Sequence, residues 1–344
     1  MAKVTINNVA DLAGVSIKTV SRVVNREPNV RESTREKVDK AIAKLNYRPN
    51  LSARNLASRR SHLIGLVYDD PAAYELPSSG YIIKMQQGAL AACRSVNYEL
   101  LIHPCDYRKK DVGAELRSLI EEARPAGIVL AAPLSNMPKI VRAIETTGTP
   151  CVRLSPGKTS GKVLSVATND REVSAEMTRY LAGLGHARIA FITGDPEHKA
   201  VANRFLGYQD GLSESGIEFS TQLVAAGNNS FGSGEACTEK LLERKNPPTA
   251  IFAANDDMAA GVIRAAHRMG IDMPGQLSVA GFDDIVLSSQ LDPTLTTIRQ
   301  PLVRMTERGA LMLSKGNDQN KDAGHHEIVP AEIQIRESTG PAPG

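Results

Sequence analysis

Tryptophan is absent from this chain of 344 residues, and aromatic residues make up only 4% of it. The sequence also lacks any run of about 18 consecutive apolar residues, which a membrane-spanning helix needs. The N-terminal stretch "MAKVTINNVADLAG" has no apolar segment of the kind found in secretory signals. We therefore expect a cytoplasmic protein with no membrane partner.

Cysteine is scarce and scattered along the chain. The four cysteines are Cys93, Cys105, Cys151 and Cys237, and no two of them form a C-x-x-C motif. This spacing favours buried free thiols over a metal or redox site. We expect no bound metal ion and no cofactor.

The positive charge is concentrated at one end of a chain that is long enough for two or three domains. Residues 1–60 hold thirteen Lys or Arg against five Asp or Glu, whereas the rest holds 28 basic and 33 acidic residues. Between Asp39 and Asp69 there are six cations and no acid. A solvated charged face is the ordinary explanation, but clustering in one small terminal unit favours a polyanion partner.

Capping signals predict three short helices within this basic unit. Thr5 is an N-cap candidate and Gly14 ends the first helix, Ser16 can cap the second, and Ser33 and Glu36 have capping-box spacing before the third. The predicted core positions are Val9, Ala10, Leu12, Ala13, Val15, Val20, Val23, Val24, Val38, Ala41, Ile42 and Leu45. A tight turn between the first two helices indicates a helix-turn-helix domain over residues 1–48.

The second helix has a distinctive outer face. By helical spacing, Ile17, Lys18, Ser21, Arg22 and Asn25 lie opposite its valines. In a DNA major groove, Lys and Arg donate to guanine, and an apolar side chain meets a thymine methyl group. DNA binding is therefore our preferred interpretation, and a protein-binding three-helix module is the alternative.

Two motifs make this unit specific, namely "AGVS-x-x-TVSRV-x-N" and "TREKV…LNY-x-PN". Residues 3–60 resemble, without a gap, the DNA-binding end of the lactose/galactose repressor (LacI/GalR) family of bacterial transcription regulators. The resemblance implies that Ile17, Lys18 and Arg22 read the operator bases. It also implies contacts at or beside phosphates for Thr5, Ser16, Thr19, Ser21, Asn25, Val30 and Tyr47.

Residues 49–61 form a linker with two possible interpretations. Pro49 stops the third helix, and "LSARNLAS" is too short for an independently stable helix, so a polar inter-domain linker is one interpretation. The family resemblance implies a hinge helix that orders on DNA, with Leu56 wedged into the minor groove. In that case Asn50, Ala53 and Arg54 also belong to the DNA-binding surface.

From residue 62 onward, apolar runs alternate with helical stretches. The runs are "LIGLVY", "YELLIH", "GIVLAA", "PCVRL", "LSVAT", "RIAFITG", "TQLVAAG", "TAIFAAND" and "LSVAGFDD". This alternation predicts an α/β fold with buried parallel strands, in two doubly wound subdomains. We place the first at about 62–163 and 298–326, and the second at about 164–297 and 327–340. "LDPTLTTIRQP" is interpreted as a crossover and "HEIVPAEIQIREST" as one late strand with its tail.

Polar residues follow many of these strands. They are Asp69, Asp70, Ser155, Asp195, Asn255, Asp256, Asp283 and Asp284, and Asp256 is expected to cap the next helix. Ligands of doubly wound sheets bind beyond the carboxyl ends of the strands. The other residues therefore predict a cleft for a ligand rich in hydroxyl groups.

The large unit also resembles the same family, as far as about Ser338. "LGHARIAFITG", "NRFLGYQDGL", "AIFAANDDMAAGVIRA" and "SVAGFDD" are similar to its effector domain, which has the fold of periplasmic sugar-binding proteins. The resemblance implies effector contacts from Arg204, Asn255 and Asp283. Further pocket residues implied by the resemblance are Tyr68, Asp69, Tyr81, Ser155, Gln300, Leu302 and either Phe231 or its competing alignment Asn229.

Other function classes have weaker support. "FGSGEAC" holds two of the three glycines of a dinucleotide fingerprint, and neither G-x-x-x-x-G-K-[ST] nor G-x-S-x-G occurs, so we do not expect an enzyme. A sugar-binding receptor without a DNA role is the main alternative. We predict a homodimeric repressor of carbohydrate-utilisation genes that binds a pseudo-palindromic operator in double-stranded DNA. A small carbohydrate-like effector controls it.

Overall fold

The computed structural model describes residues 4–24, 30–47, 61–70, 80–157, 163–314 and 324–344. The chain divides into two units between Ser61 and His62, and each is described by itself. None of the helices in these ranges is long and apolar enough to cross a membrane.

The described part of the first unit is a bundle of three helices: α1 (Ile6–Ala13), α2 (Ile17–Val24) and α3 (Glu32–Leu45). Its core is small and consists mainly of valine and alanine. The buried members are Val9, Ala10, Val20, Val23, Val38 and Ala41. Leu12, which we predicted in this core, is 45% exposed, because it lies on the outer face of the short first helix.

The turn between α1 and α2 follows the predicted capping chemistry. Gly14 ends α1 in the left-handed region at φ 64°, a conformation that glycine adopts without strain. The Thr19 backbone N–H donates to Ser16 Oγ at 3.2 Å, and the Thr5 N–H donates to Asn8 Oδ1 at 2.9 Å. The predicted capping box at Ser33 is wrong, because α3 already begins at Glu32 with Arg31 as its N-cap.

The second unit contains twelve described strands in two sheets. The nine strands predicted from apolar runs are all present: β1 (Leu63–Asp69), β2 (Glu99–Cys105), β3 (Gly127–Leu130), β4 (Cys151–Leu154), β5 (Leu164–Ala167), β6 (Ile189–Thr193), β7 (Val224–Ala226), β8 (Ala250–Ala253) and β9 (Ser278–Phe282). Three more follow: β10 (Thr296–Arg299), β11 (His326–Ile328) and β12 (Glu332–Gln334).

Each sheet has six strands. The first has the order β11-β5-β4-β3-β1-β2 and is parallel throughout; the second has the order β12-β10-β9-β8-β6-β7 and is parallel except for the β10–β12 pair. The described residues form eight helices beside them: α4 (Gly80–Ser95), α5 (Val112–Ala123), α6 (Pro138–Glu145), α7 (Asp170–Gly183), α8 (Lys199–Glu214), α9 (Phe231–Leu242), α10 (Asp256–Arg268) and α11 (Leu302–Ser314). The fully buried central strands explain the continuous apolar runs in the sequence.

The chain passes between the sheets after β5, after β10 and after β11. The predicted boundaries therefore lie a few residues too early: residues 164–167 and 327–328 belong to the first sheet, and residues 298–299 belong to the second. The segment interpreted as a crossover contains β10, and the predicted single late strand is two strands in different sheets. An apolar run identifies a strand, but it does not reveal which of two sheets the strand joins.

Candidate functional site

The outer face of α2 presents the residues predicted to read DNA bases. Ile17, Lys18 and Arg22 are exposed, and Ile17 is 49% accessible although its side chain is apolar. Thr5 and Ser16 are also exposed, whereas Thr19, Ser21, Val30 and Tyr47 are half-buried. The predicted DNA contacts Asn25, Asn50, Ala53, Arg54 and Leu56, together with the hinge helix, lie outside the described residues.

A cavity of about 550 Å³ lies between the two sheets of the second unit. Clefts of this size accept small-molecule ligands. Its described lining includes six of the eight predicted effector contacts: Asp69, Tyr81, Ser155, Arg204, Asn255 and Asp283. Residues at the strand ends of both sheets therefore meet here, as the doubly wound topology predicts.

Arg204 is the buried cation of the cavity and is 6% exposed. Its Nε donates to Asp170 Oδ1 at 2.9 Å, and its Nη1 donates to the Ala254 carbonyl at 2.6 Å. The same Nη1 lies 3.6 Å from Asp283 Oδ1, and the guanidinium carbon lies 3.5 Å from the centre of the Phe282 ring. These contacts fix the guanidinium plane, so that its position does not depend on a ligand.

Two polar atoms on the cavity wall are buried without a hydrogen-bond partner among the described residues. They are Ser155 Oγ and Asp283 Oδ1. Both residues have positive φ, 46° for Ser155 and 114° for Asp283, and both directly follow a strand. Strained backbone and unsatisfied buried oxygens together are typical of a binding site, because a ligand can supply the missing hydrogen bonds.

Asn255 follows β8 of the second sheet and lines the cavity. Its Oδ1 caps α10 by accepting from the Met258 N–H at 2.9 Å, and its Nδ2 donates to the Asn229 carbonyl at 2.9 Å. Asn229 itself lines the cavity. Phe231 is not part of the described lining, and its ring lies 5.6 Å from the Arg264 guanidinium carbon. The structure thus favours the alignment that places Asn229, not Phe231, in the pocket.

Gln300 was also predicted in the pocket, but the structure places it elsewhere. It follows β10 and, with Leu302, borders a separate groove at the start of α11. The side chain is 2% exposed, and neither amide atom has a hydrogen-bond partner among the described residues. Gln300 is therefore not part of the described cavity lining.

Three of the predicted strand-end acids have other environments. Asp256 is fully buried and accepts hydrogen bonds from the Thr297 hydroxyl at 2.5 Å and the Ile285 N–H at 2.8 Å. Asp284 accepts from Arg299 and Arg336, each at 2.6 Å. These carboxylates join loops within the second unit. Asp70 is half-buried but is not part of the described cavity lining.

Ionisation in the cavity is shifted by burial. Burial raises the pKa of Asp283 to about 7 although Arg204 lies beside it, and Asp257 adds to the shift. Burial likewise raises the pKa of Asp69 to about 7. Burial lowers the pKa of His198 to about 4, so its imidazole is neutral at pH 7.

Several cavity residues come from loops that we did not predict. Tyr107, Arg108, His198 and Asn228 line the cavity, and the Tyr107 hydroxyl donates to Asp195 Oδ2 at 2.8 Å. Tyr107 follows β2 of the first sheet, whereas Asp195 follows β6 of the second. This hydrogen bond therefore joins the two subdomains across the cleft. The only signal available in the sequence was the position of Tyr107 two residues after a strand.

Comparison with known protein families gives two matches. Residues 5–50 match the family described as "Bacterial regulatory proteins, lacI family", and residues 178–339 match the "Periplasmic binding protein-like domain". The first match contains α1, α2 and α3. The second contains the Arg204, Asn255 and Asp283 side of the cavity.

Curated relatives extend over almost the whole chain. The HTH-type transcriptional regulator DegA of Bacillus subtilis (strain 168) is 31% identical over 98% of this chain and 99% of its own length. The HTH-type transcriptional regulator GalR of Escherichia coli (strain K12) is 34% identical over 89% of this chain and 87% of its own length.

Solved structures also resemble this chain over almost its whole length. The Lac repressor dimer bound to operator and the anti-inducer ONPF is 27% identical, with a TM-score of 0.79 over 98% of this chain and 100% of that chain. A complex of the transcriptional regulator CelR with cellobiose is 27% identical, with a TM-score of 0.75 over 98% of this chain and 100% of that chain.

Proposed function

The chain belongs to the lacI family of bacterial regulatory proteins, which consists of transcription regulators and not of enzymes, and we propose that it is an effector-controlled repressor of carbohydrate-utilisation genes. In this proposal a homodimer binds a pseudo-palindromic operator in double-stranded DNA. A small carbohydrate-like molecule occupies the cavity. The protein acts in the cytoplasm, where bacterial operators are accessible.

One observation carries the proposal: a single chain combines an exposed cationic helix face with a strand-end cavity lined by unsatisfied polar atoms. The first feature fits major-groove DNA and the second fits a polyhydroxylated ligand. Two structural relatives bind these two kinds of partner: the Lac repressor dimer binds an operator, and CelR binds cellobiose.

The control mechanism follows from linkage. A ligand shifts a conformational equilibrium only by its difference in affinity for the two states. The cavity is bounded by both subdomains, which the chain connects at three crossings. A ligand that contacts both walls favours one relative position of the subdomains and thereby changes operator affinity.

A gel-shift experiment tests the function as a whole. Operators are first selected from a random DNA library with the full-length protein, and the shift is then repeated with a carbohydrate panel. We expect a discrete shifted band whose intensity one of the sugars changes. A sugar-binding receptor without a DNA role gives no shift with any sequence.

Lys18→Ala is expected to relax the preference at one operator base pair by about 1–3 kcal/mol, because a bidentate base contact discriminates by that amount. Selection of operators by wild type and variant, followed by sequencing, measures the change. Lys37→Ala is the matched control, since Lys37 is an exposed lysine on α3. If both variants select the wild-type sequence, Lys18 is not a reading residue.

We expect a homodimer, because one helix-turn-helix domain offers too little contact surface for tight specific binding. Two domains on half-sites related by a two-fold axis double the contact surface with DNA. Light scattering of the full chain at micromolar concentration is expected to give the mass of two chains. A mass of one chain under these conditions contradicts the proposed two-site recognition of the operator.

A further inference from the structure

The described wall of the cavity carries more carboxylates than cations. Its acids are Asp69, Asp195, Asp257 and Asp283, and its cations are Arg108 and Arg204. His198 adds no charge at pH 7, because burial lowers the pKa of its imidazole to about 4. Burial raises the pKa of Asp69 and of Asp283 to about 7, so these two groups are about half ionised at pH 7. Asp195 and Asp257 already balance the two cations, and a ligand that enters this cavity therefore meets a modest excess of negative charge.

Both guanidinium groups already face carboxylates. Arg204 donates to Asp170 at 2.9 Å and lies 3.6 Å from Asp283, so its charge is compensated before any ligand binds. Arg108 lies 3.5 Å from Asp106. A bound anion would have to compete with these carboxylates for the same donors, and bidentate recognition of a phosphate or carboxylate uses the donors of a guanidinium fork.

Helix α10 begins on the cavity wall, and its N-terminus is occupied by acids as well. The N-terminus of a helix is an anion site by virtue of its free N–H groups and its dipole. Here Asn255 caps the helix, and its first turn carries Asp256 and Asp257. Asp257, which lines the cavity, uses the positive end of the dipole and repels a second anion.

Hydroxyl groups, in contrast, match the wall well. Carboxylate oxygens accept from hydroxyls, whereas the Ser155 hydroxyl and the side-chain amides of Asn228 and Asn229 can donate to them. Ser155 Oγ and Asp283 Oδ1 still lack hydrogen-bond partners among the described residues. An uncharged polyol supplies both donors and acceptors without adding charge.

We propose that the cavity selects an uncharged polyhydroxylated ligand and discriminates against the carboxylate and phosphate derivatives of the same sugar. This inference rests on the proposed function, since it specifies which carbohydrates the effector site accepts.

Calorimetry with the full-length protein tests the inference on matched compounds. The neutral probes are glucose, galactose, ribose and cellobiose. The anionic probes are glucuronate, galacturonate, cellobionate, glucose 6-phosphate, galactose 6-phosphate and ribose 5-phosphate. We expect at least one neutral sugar to bind and its anionic derivatives to bind at least tenfold more weakly. An anionic derivative that binds as tightly as its parent sugar overturns this inference, yet still supports a carbohydrate effector. If no compound binds, the carbohydrate effector itself is also refuted.

A charge variant provides a second measurement. Asp195→Asn removes one negative charge from the wall but keeps a side-chain oxygen that can accept from the Tyr107 hydroxyl. It is expected to reduce the discrimination against the anionic derivative by about five- to tenfold, because it removes one repulsive Coulomb interaction between the wall and the anion. Asp210→Asn, on α8 but outside the described cavity lining, is the control and should preserve it. Equal discrimination in both variants contradicts an electrostatic origin.

Discussion

Arg204→Ala is expected to lower the free energy of unfolding of the large unit by about 3–5 kcal/mol and to abolish the response to the effector. The substitution leaves Asp170 and Asp283 without their common cation, and these carboxylates are only 4% and 5% exposed. It also removes the guanidinium group that lies over the Phe282 ring. Loss of one partner from a buried ion cluster is costly because the remaining charges stay desolvated.

Urea denaturation at pH 7.5, with calorimetry of the sugar identified by the panel, measures both effects. Arg171→Ala is the matched control, since its side chain is 51% exposed and pairs with the half-exposed Asp210. Exposed pairs contribute at most about 1 kcal/mol, so this variant should unfold and bind sugar almost as wild type does. Equal stability and equal sugar affinity for the two variants would show that Arg204 has no special role.

The sequence predicted most of the architecture because buried parallel strands leave a strong signal. Nine apolar runs correspond to nine strands, and Gly14 and Ser16 mark the turn of the helix-turn-helix. Strand β10 was missed because "LTTIR" is only partly apolar and a proline, Pro301, follows two residues after it. The third helix starts one residue before the expected cap at Ser33, since capping-box spacing alone does not fix where a helix begins.

The cavity was predictable where its residues follow strands. Asp69, Ser155, Asn255 and Asp283 meet because the carboxyl ends of parallel strands lie on one edge of each sheet. The sequence allowed two alignments at the start of α9, and a shift of two residues between them exchanges Phe231 for Asn229 as the predicted pocket residue.

Loop residues were not predictable by the same reasoning. Tyr107 and His198 reach the cavity through the path of irregular segments, and no periodicity in the sequence encodes that path. Asp256 and Asp284 also follow their strands closely, but hydrogen bonds with Thr297, Arg299 and Arg336 hold them in other environments. Only the three-dimensional contacts separate a ligand-facing carboxylate from a structural one.

The contribution of Asp283 to the stability of the large unit is expected to decrease as pH rises from about 4 to about 7. The lowered pKa of His198 acts in the opposite direction over part of this range, so the Asp283 contribution is measured as a difference between two proteins. Burial raises the pKa of Asp283 from 3.8 to about 7. Within this window the unfolded chain has released the proton and the folded chain still binds it, so increasing pH favours unfolding. The destabilisation by Asp283 is absent below the pKa that this group has in the unfolded chain, and it is constant above the pKa that it has in the folded chain. At about 1.4 kcal/mol per pH unit, one such carboxyl group accounts for up to about 4 kcal/mol.

Asp283→Asn removes this ionisation and retains a residue type that tolerates the positive φ of 114° at this position. We therefore expect the free energy of unfolding of the variant to increase relative to that of wild type between pH 5 and pH 7.5, as measured by urea denaturation at several pH values. Arg204, Asp170, Asp257 and Lys84 act on Asp283 and remain in both proteins, so the difference isolates this carboxyl group.

Asp210→Asn is the control for this measurement. Its hydrogen bond from Arg171 lowers the pKa of Asp210, so its contribution to stability is present above the unfolded pKa and is lost only at lower pH, outside the window. The Asp210 variant should therefore show the wild-type slope between pH 5 and pH 7.5. An Asp283 variant with that same slope would mean that Asp283 is ionised in the folded protein throughout this range, with Arg204 as its dominant partner.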